Sequence, residues 1–275
     1  MHEAPAVPPG VDTSVPTAAR IYDYMLRGHN YFDADERACQ RLLAAVPYAQ
    51  DVAAANRGFH QRSAKWIAEQ GIKQFVDIGS GLPTVGNTHE VVQKVAPGAH
   101  VVYVDKDPMV IRHSEMILDG TSPVSVICAD LREPDMIVKH PDLLRLIDFS
   151  QPAALCMTAV LQFVSDADDP WSLLSRYVDM LAPGSYLSLS HLTDDYQAPA
   201  AAEGFRAVFD SATDHMYFRS KAKVARFFEG LDLVVPYEGA PKPAVTFAGY
   251  WGCEDVELAD SDGSRWLYCG VAKKP

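Results

Sequence analysis

The chain has 275 residues, 48% of them apolar and 22% charged. That length and balance support a full hydrophobic core and exclude both a stapled mini-domain and a disordered chain. Its 24 basic and 36 acidic residues give a formal charge of -12, which repels phosphate backbones and anionic lipid and disfavours nucleic acid as a partner.

In chain order, residues 1–15 are rich in Pro, Ala and Val without periodicity and are expected to form a flexible arm. Thr17 to Arg27 reads as a helix, with Ala18, Ile21, Tyr22 and Met25 at helical spacing and Gly28 as its stop. Asp33 and Glu36 make a capping-box-like start for a second helix through Val46, and a third runs from about Asp51 to Gln70 and stops at Gly71. Residues 16–71 are therefore expected to be an N-terminal helical cap, packed as one globular unit on a domain spanning 72–275.

After Gly71, short apolar runs alternate with helical segments, the signature of an α/β fold with a mostly parallel sheet covered on both faces. The expected strands are Gln74–Ile78, His100–Val104, Val124–Ala129, Ala153–Met157, Tyr186–Ser190, Leu231–Val235 and Trp266–Ala272. Crossover helices are expected over Thr88–Val95, Pro108–Leu118, Pro134–Leu146 and Pro170–Leu181, each long enough for a right-handed connection. Two more helical patterns fall between Thr193 and Gly230. Residues 236–263 read as a long connection punctuated by Pro and Gly, a length usually functional or mobile.

Cys39, Cys128, Cys156, Cys253 and Cys269 are widely spaced and include no C-x-x-C pair, so free thiols are expected, with no zinc site. No basic segment followed by an apolar core opens the chain, and no apolar run approaches the ~20 residues of a spanning helix. The expected location is the cytoplasm, without membrane contact. Homodimer formation is left open.

The sharpest local feature is Phe75-Val76-Asp77-Ile78-Gly79-Ser80-Gly81, an apolar strand running into a Gly-x-Gly turn. Such glycines allow a tight turn and a close ligand approach, and a plain structural turn is the bland alternative. A dinucleotide fingerprint needs glycine where Thr84 stands. A triphosphate loop needs lysine where Asn87 stands, and Pro83 removes a cradling N–H. S-adenosyl-L-methionine (SAM), a sulfonium with an amino-acid tail and a ribose, asks instead for carboxylates. Asp77 in the first strand suits the ammonium, Asp105 after the second suits the ribose hydroxyls, and Asp130 after the third suits the adenine amino group, all at the carboxyl ends where such sheets bind ligands. Each acid also has a capping alternative.

These residues resemble the class I SAM-dependent methyltransferases, and more closely an actinobacterial family of S-adenosyl methyltransferases long described as a domain of unknown function. The resemblance is carried by Pro16-Thr17-Ala18-Ala19-Arg20-Ile21-Tyr22-Asp23-Tyr24, Asn56-Arg57, Asp77-Ile78-Gly79-Ser80-Gly81-Leu82-Pro83-Thr84, Tyr103-Val104-Asp105-Lys106-Asp107-Pro108 and Tyr268-Cys269-Gly270-Val271-Ala272. It implies a Rossmann-like sheet of seven strands in the order 3-2-1-4-5-7-6, the last antiparallel. It also implies a cofactor site of Gly79, Ser80 and Gly81, of Asp105 with Lys106 beside it, and of Asp130 with Leu131, while Thr158 and Ala159 border the methyl-transfer face. The sequence departs from the family at Arg27-Gly28-His29, where the pattern has a Gly-Gly pair followed by a basic residue.

Methyl transfer needs positioning and a pocket low in water, and a base only for some acceptors. His191 is the candidate base, with a packing histidine as its alternative. Tyr22, Tyr24, Asn30, Tyr31 and Arg57 of the cap are candidates to close over an acceptor, which is expected to be a small molecule. Phe205, Phe209, Phe227 and Phe228 read as helix-face core. His113-Ser114-Glu115 lacks the P-C-x-x-C of a zinc deaminase, and no G-x-S-x-G elbow is present. A non-catalytic regulator that binds SAM or another ligand, and an NAD-dependent oxidoreductase, are the competing functions.

Overall fold

The structure, a computed structural model, describes residue 7 and residues 10–82, 86–109 and 123–275. Pro83 and Thr84, the expected helix beyond Met109, His113-Ser114-Glu115 and most of the first nine residues lie outside the described residues.

Three helices come first: α1 (Ala18–Met25), α2 (Asp33–Ala45) and α3 (Ala49–Glu69). Thr17 caps α1, its hydroxyl accepting the Arg20 N–H at 3.4 Å. The start of α2 differs from expectation. Asp35, rather than Asp33 or Glu36, is the capping carboxylate, taking the Phe32 N–H at 2.9 Å. Asp35 is turned inward because its other oxygen receives Arg20 Nε at 3.2 Å and the Thr17 N–H at 3.1 Å. Arg27, where the family pattern carries glycine, sits at φ 61°, and a Cβ on the following Gly28 would lie 2.2 Å from the Asp23 carboxylate. One glycine of the expected pair is thus required by space, and the other is replaced by a residue that accepts left-handed strain.

Strands β1 (Gln74–Ile78), β2 (His100–Asp105), β3 (Val124–Cys128), β4 (Ala154–Thr158) and β5 (Tyr186–Leu192) pair in parallel in the order 3-2-1-4-5. The last strand, β8 (Leu267–Lys273), runs antiparallel to β5, from Tyr186 opposite Lys273 to Leu192 opposite Leu267. Two dipeptide strands share its other edge: β6 (Asp232–Leu233) against Lys273 and Ala272, and β7 (Thr246–Phe247) against Cys269 and Tyr268. The described sheet therefore has eight strands instead of seven, in the expected order. The extra strand falls inside the connection read as irregular, because two residues carry no period to detect.

The remaining described helices are α4 (Thr88–Val95), α5 (Pro134–Val138), α6 (Pro141–Leu146), α7 (Pro170–Asp179), α8 (Pro199–Asp210), α9 (Lys221–Ala225) and α10 (Val256–Ala259). The single helix expected over Pro134–Leu146 is two, since Pro141 has no N–H to continue α5 and instead opens α6.

Side chains alternate across a strand. Phe75, Val101, Ala154 and Cys156 pack on one face with Phe59, Ala64 and Ile67 of α3, while Val76, Ile78, Val102, Leu155 and Met157 pack on the other with helices α6 and α7. The first three helices thus share a core with the sheet: α3 lies against β4, β5, β8 and α4, and α2 against α8. Gly204 permits the last contact, since a Cβ there would meet that of Ala45 at 2.4 Å.

The Arg20–Asp35 pair is fully buried, and the guanidinium also donates to the carbonyls of Asp12 and Val15. Removing one member strands the other charge, which typically costs ~3–5 kcal/mol. Arg20→Leu is expected to lower stability by about that amount in urea denaturation, and a loss under ~1 kcal/mol would show that Asp35 is satisfied without it.

Candidate functional site

The carboxyl ends of β1 to β4 open into a cavity of about 460 Å³. Residues 10–12, 15, 17–22 and 25 roof it together with side chains of α3 and α8. All ten residues expected at a cofactor line it: Asp77, Gly79, Ser80, Gly81, Asp105, Lys106, Asp130, Leu131, Thr158 and Ala159.

The turn after β1 is built for close approach. Gly79 and Ser80 donate their N–H groups to the Val104 carbonyl at 2.8 and 3.3 Å, which ties the turn to β2. Gly79 has φ 71°, and a Cβ there would lie 2.1 Å from Val160 Cγ2. Gly81, at φ 64°, has nothing within 4 Å of its absent Cβ. One glycine is needed for packing, and the other leaves open space for a ligand.

Asp105 accepts the Gly81 N–H on Oδ2 at 2.7 Å and the Asp107 N–H on Oδ1 at 3.0 Å. Burial pushes its pKa up to about 6 against those hydrogen bonds. A carboxylate offers about four lone-pair sites, so Asp105 keeps acceptor capacity for a ligand hydroxyl beyond its backbone hydrogen bonds. Asp130 takes the Arg132 N–H at 2.9 Å and pairs with its guanidinium at 3.2 Å. Lys106 forms an ion pair with Asp214, tying the β2 tip to the segment after α8. Asp107 accepts the Met109 N–H at 2.9 Å and the Thr17 hydroxyl at 2.7 Å.

The candidates in the first helices divide. Tyr22 and Arg57 line the cavity, with the guanidinium 5.9 Å from the Tyr22 ring centre. Tyr24 and Asn30 do not line it. Two residues on a helix are separated by about 200°, so Tyr24 points away from Tyr22 and packs edge-on against Tyr31 at 4.8 Å. The Asn30 N–H is bound to Asp23 at 2.8 Å.

His191 also lies outside the cavity lining, because alternation along β5 turns Ser190 toward α3 and His191 to the far face. Its Nε2 receives Arg219 Nη1 at 2.6 Å, and its Nδ1 faces the Leu192 carbonyl at 2.7 Å. Burial, and then the Arg219 charge, pulls its pKa down to about 3. Its lone pair is occupied, so it is a packing histidine and not a base for this cavity.

Sequence reasoning missed a polar stripe on α3. Asn56, His60 and Ser63 recur at helical spacing among apolar neighbours and face the sheet. Asn56 accepts the Ser190 hydroxyl, Ser63 meets Ser188 at 2.8 Å, and His60 meets Thr88 at 2.8 Å and Thr158 at 3.2 Å. Polar residues in the a/d-like register of an otherwise apolar helix face were the available signal. Behind the stripe, Ile21, Met25, Leu42, Phe163, Phe205 and Phe209 give the cavity an apolar lobe. Among the described residues no group of three His, Cys, Asp or Glu side chains is arranged to hold a metal, and no helix is long and apolar enough to cross a membrane.

A family model described as S-adenosyl methyltransferase matches residues 5–275. A DUF574 family protein from Streptomyces avermitilis is 35% identical, with 96% of this chain and 99% of that one covered and a TM-score of 0.88. A protein from Thermobifida fusca, described as a methyltransferase candidate, is 38% identical over 97% of this chain and 98% of its own, with a TM-score of 0.87. No curated protein matches the chain.

Because the folded chain holds His191 neutral down to about pH 3 while an ordinary histidine protonates near 6.5, the unfolded state binds the extra proton between those values. Stability from this group is complete above pH 6.5 and is lost as the pH falls, by up to roughly 1.4 kcal/mol per pH unit. His191→Gln is expected to flatten that acid limb in denaturation curves measured at successive pH values. An unchanged slope would show that other groups carry it.

Proposed function

The chain belongs to the S-adenosyl methyltransferase family and uses SAM as its methyl donor, and from that premise we propose that its acceptor is a small, largely apolar molecule bound in the lobe between α1, α3 and α8. Supporting this reading, the strand-tip side of the cavity is lined by carboxylates and glycines, and its helix side by Ile21, Met25, Leu42, Phe205 and Phe209. The formal charge of -12 argues against a nucleic-acid acceptor, and five free thiols favour a cytoplasmic setting.

The observation that carries the cofactor assignment is the pairing of Asp105 with Gly81: a buried carboxylate with spare acceptor positions beside a glycine whose Cβ side is open. In this reading Asp105 holds the ribose hydroxyls, and Asp77, Gly79, Ser80 and Gly81 face the amino-acid tail. Asp130 and Leu131 border the adenine, while Lys106 closes the rim through Asp214. Thr158 and Ala159 lie toward the acceptor. Ala159 holds φ 53° because its N–H is fixed by the carbonyl and hydroxyl of Ser190, both at 3.0 Å.

When bound, the sulfonium supplies an electrophilic methyl group whose departure removes positive charge from sulfur. The chain's own contribution is placement and exclusion of water. Tyr22, fixed by Asn56 Nδ2 at 2.9 Å, and Arg57 above its ring hold the roof over the acceptor side.

Asp105→Ala removes two charge-assisted hydrogen bonds and is expected to weaken SAM binding by roughly 2–4 kcal/mol in isothermal titration. The sign of the pH effect follows from the raised pKa. Asp105 is ionised above about 6, so affinity should be full there and fall as acidification protonates the acceptor. Affinity independent of pH in the wild type and unaltered in Asp105→Ala would remove this residue from the site.

A further inference from the structure

Four side chains from four elements form a continuous hydrogen-bonded chain behind the cavity wall: Thr158 of β4, His60 of α3, Thr88 of α4 and Asp77 of β1. Their separations are 3.2 Å from Thr158 Oγ1 to His60 Nδ1, 2.8 Å from His60 Nε2 to Thr88 Oγ1, and 2.6 Å from Thr88 Oγ1 to Asp77 Oδ2. His60 and Asp77 are buried, whereas Thr158 is half-buried with its remaining surface on the cavity.

The direction of every bond follows from counting protons. A carboxylate only accepts, and a threonine hydroxyl has one hydrogen. Thr88 therefore donates to Asp77 and must accept from His60, which places the imidazole proton on Nε2. Nδ1 then carries a lone pair, and the Thr158 hydroxyl donates to it. The consequence falls on the cavity side: Thr158 Oγ1 has committed its only proton inward and presents lone pairs outward.

We propose that Thr158 is the contact that accepts a proton from the methyl acceptor and that His60 is the base behind it, so that the methylated atom is an oxygen or nitrogen that carries hydrogen. This rests on the methyl-transfer reading of the cavity. As the acceptor atom forms its bond to the methyl carbon, the C–S electron pair stays on sulfur and the acceptor's X–H electron pair stays on X. The released proton passes to Thr158 Oγ1 while the Thr158 proton moves to His60 Nδ1. The imidazolium so formed is balanced by Asp77, whose Oδ2 lies 3.6 Å from Nε2, and it returns its proton to water when product leaves.

The surroundings keep the base ready. Burial lowers the pKa of His60, Asp77 opposes that shift and Arg57 adds to it. These are the charged groups facing the ring: Asp77 from β1 and Arg57 one turn earlier on α3, while β4 and α4 present the uncharged Thr158 and Thr88. Thr158 is the catalytic contact, and His60, Thr88 and Asp77 act through it.

The test uses the full chain with ¹⁵N-labelled histidine, saturated with S-adenosylhomocysteine. His60 is assigned by its loss in His60→Gln. Near pH 7 the ¹⁵N shifts are expected to show a neutral ring protonated on Nε2, and Thr158→Val is expected to shift the Nδ1 resonance toward that of an unbound lone pair. A ring protonated on Nδ1, or an imidazolium at that pH, would overturn the proposal, because Thr158 could then take no proton from the cavity. With phenol and benzylamine as probe acceptors and saturating SAM as donor, Thr158→Val is expected to slow release of S-adenosylhomocysteine by at least ~10²-fold. Thr158→Ser should regain most of the rate, and the wild-type rate should rise with pH through the His60 midpoint. Release by Thr158→Val at the wild-type rate would equally overturn it. Binding of S-adenosylhomocysteine, read by isothermal titration of the same protein, separates failure of the cofactor site from failure of the relay.

Discussion

The organising constraint of this protein is that polar groups buried between α3 and the sheet must all find partners. A buried, unsatisfied donor or acceptor costs about 1–3 kcal/mol, so the stripe of Asn56, His60 and Ser63 is tolerable only in one register against the strands. Alternation along β1, β4 and β5 supplies that register. It puts Asp77, Thr158, Ser188 and Ser190 on the α3 face and their apolar neighbours Val76, Met157 and Leu189 on the other. Sliding α3 by one turn would orphan several of these groups together. The same register brings α3 over the strand tips, so the fit that specifies the fold also shapes one wall of the cavity.

The roof is fixed by a different device. Arg20 and Asp35 are buried as a pair, and the guanidinium gathers the carbonyls of Asp12 and Val15, drawing residues 10–17 over the cavity. The Thr17 hydroxyl on Asp107 fastens that roof to the β2 tip, and the Lys106–Asp214 pair ties the same tip to the segment after α8. Asp105, Lys106 and Asp107 thus divide the work among adjacent positions: one faces the ligand space, one reaches a loop and one holds the roof. Their successive side chains point in different directions because the chain leaves β2 at Asp105 and turns there.

Much of this was legible in the sequence for identifiable reasons. Five strands buried on both faces write themselves as apolar runs, and the Gly-x-Gly turn with acids at the next strand ends located the cavity. What stayed hidden depended on contacts across the chain. His191 looked like a base because it ends a strand beside the expected site, but which face of β5 it occupies, and its meeting with Arg219, are set by tertiary packing. His60 is marked in the sequence only by the polar stripe it shares with Asn56 and Ser63, and its significance appears only when β1, β4 and α4 converge on it. The cap of α2 was misread for the same reason, since only folding reveals that Asp35 answers Arg20.

The split outer edge of the sheet has a consequence for how these molecules meet one another. A long terminal strand offers a continuous row of unpaired amides, the template by which separate chains zip together into aggregates. Here the side of β8 away from β5 is occupied by two dipeptides, β6 and β7, separated by a Pro- and Gly-rich excursion. An intruding strand would find only two residues in register before the ladder broke. The brevity that hid β7 from the sequence, and that cuts the strand expected over Leu231–Val235 down to Asp232–Leu233, is therefore a built-in guard of colloidal stability.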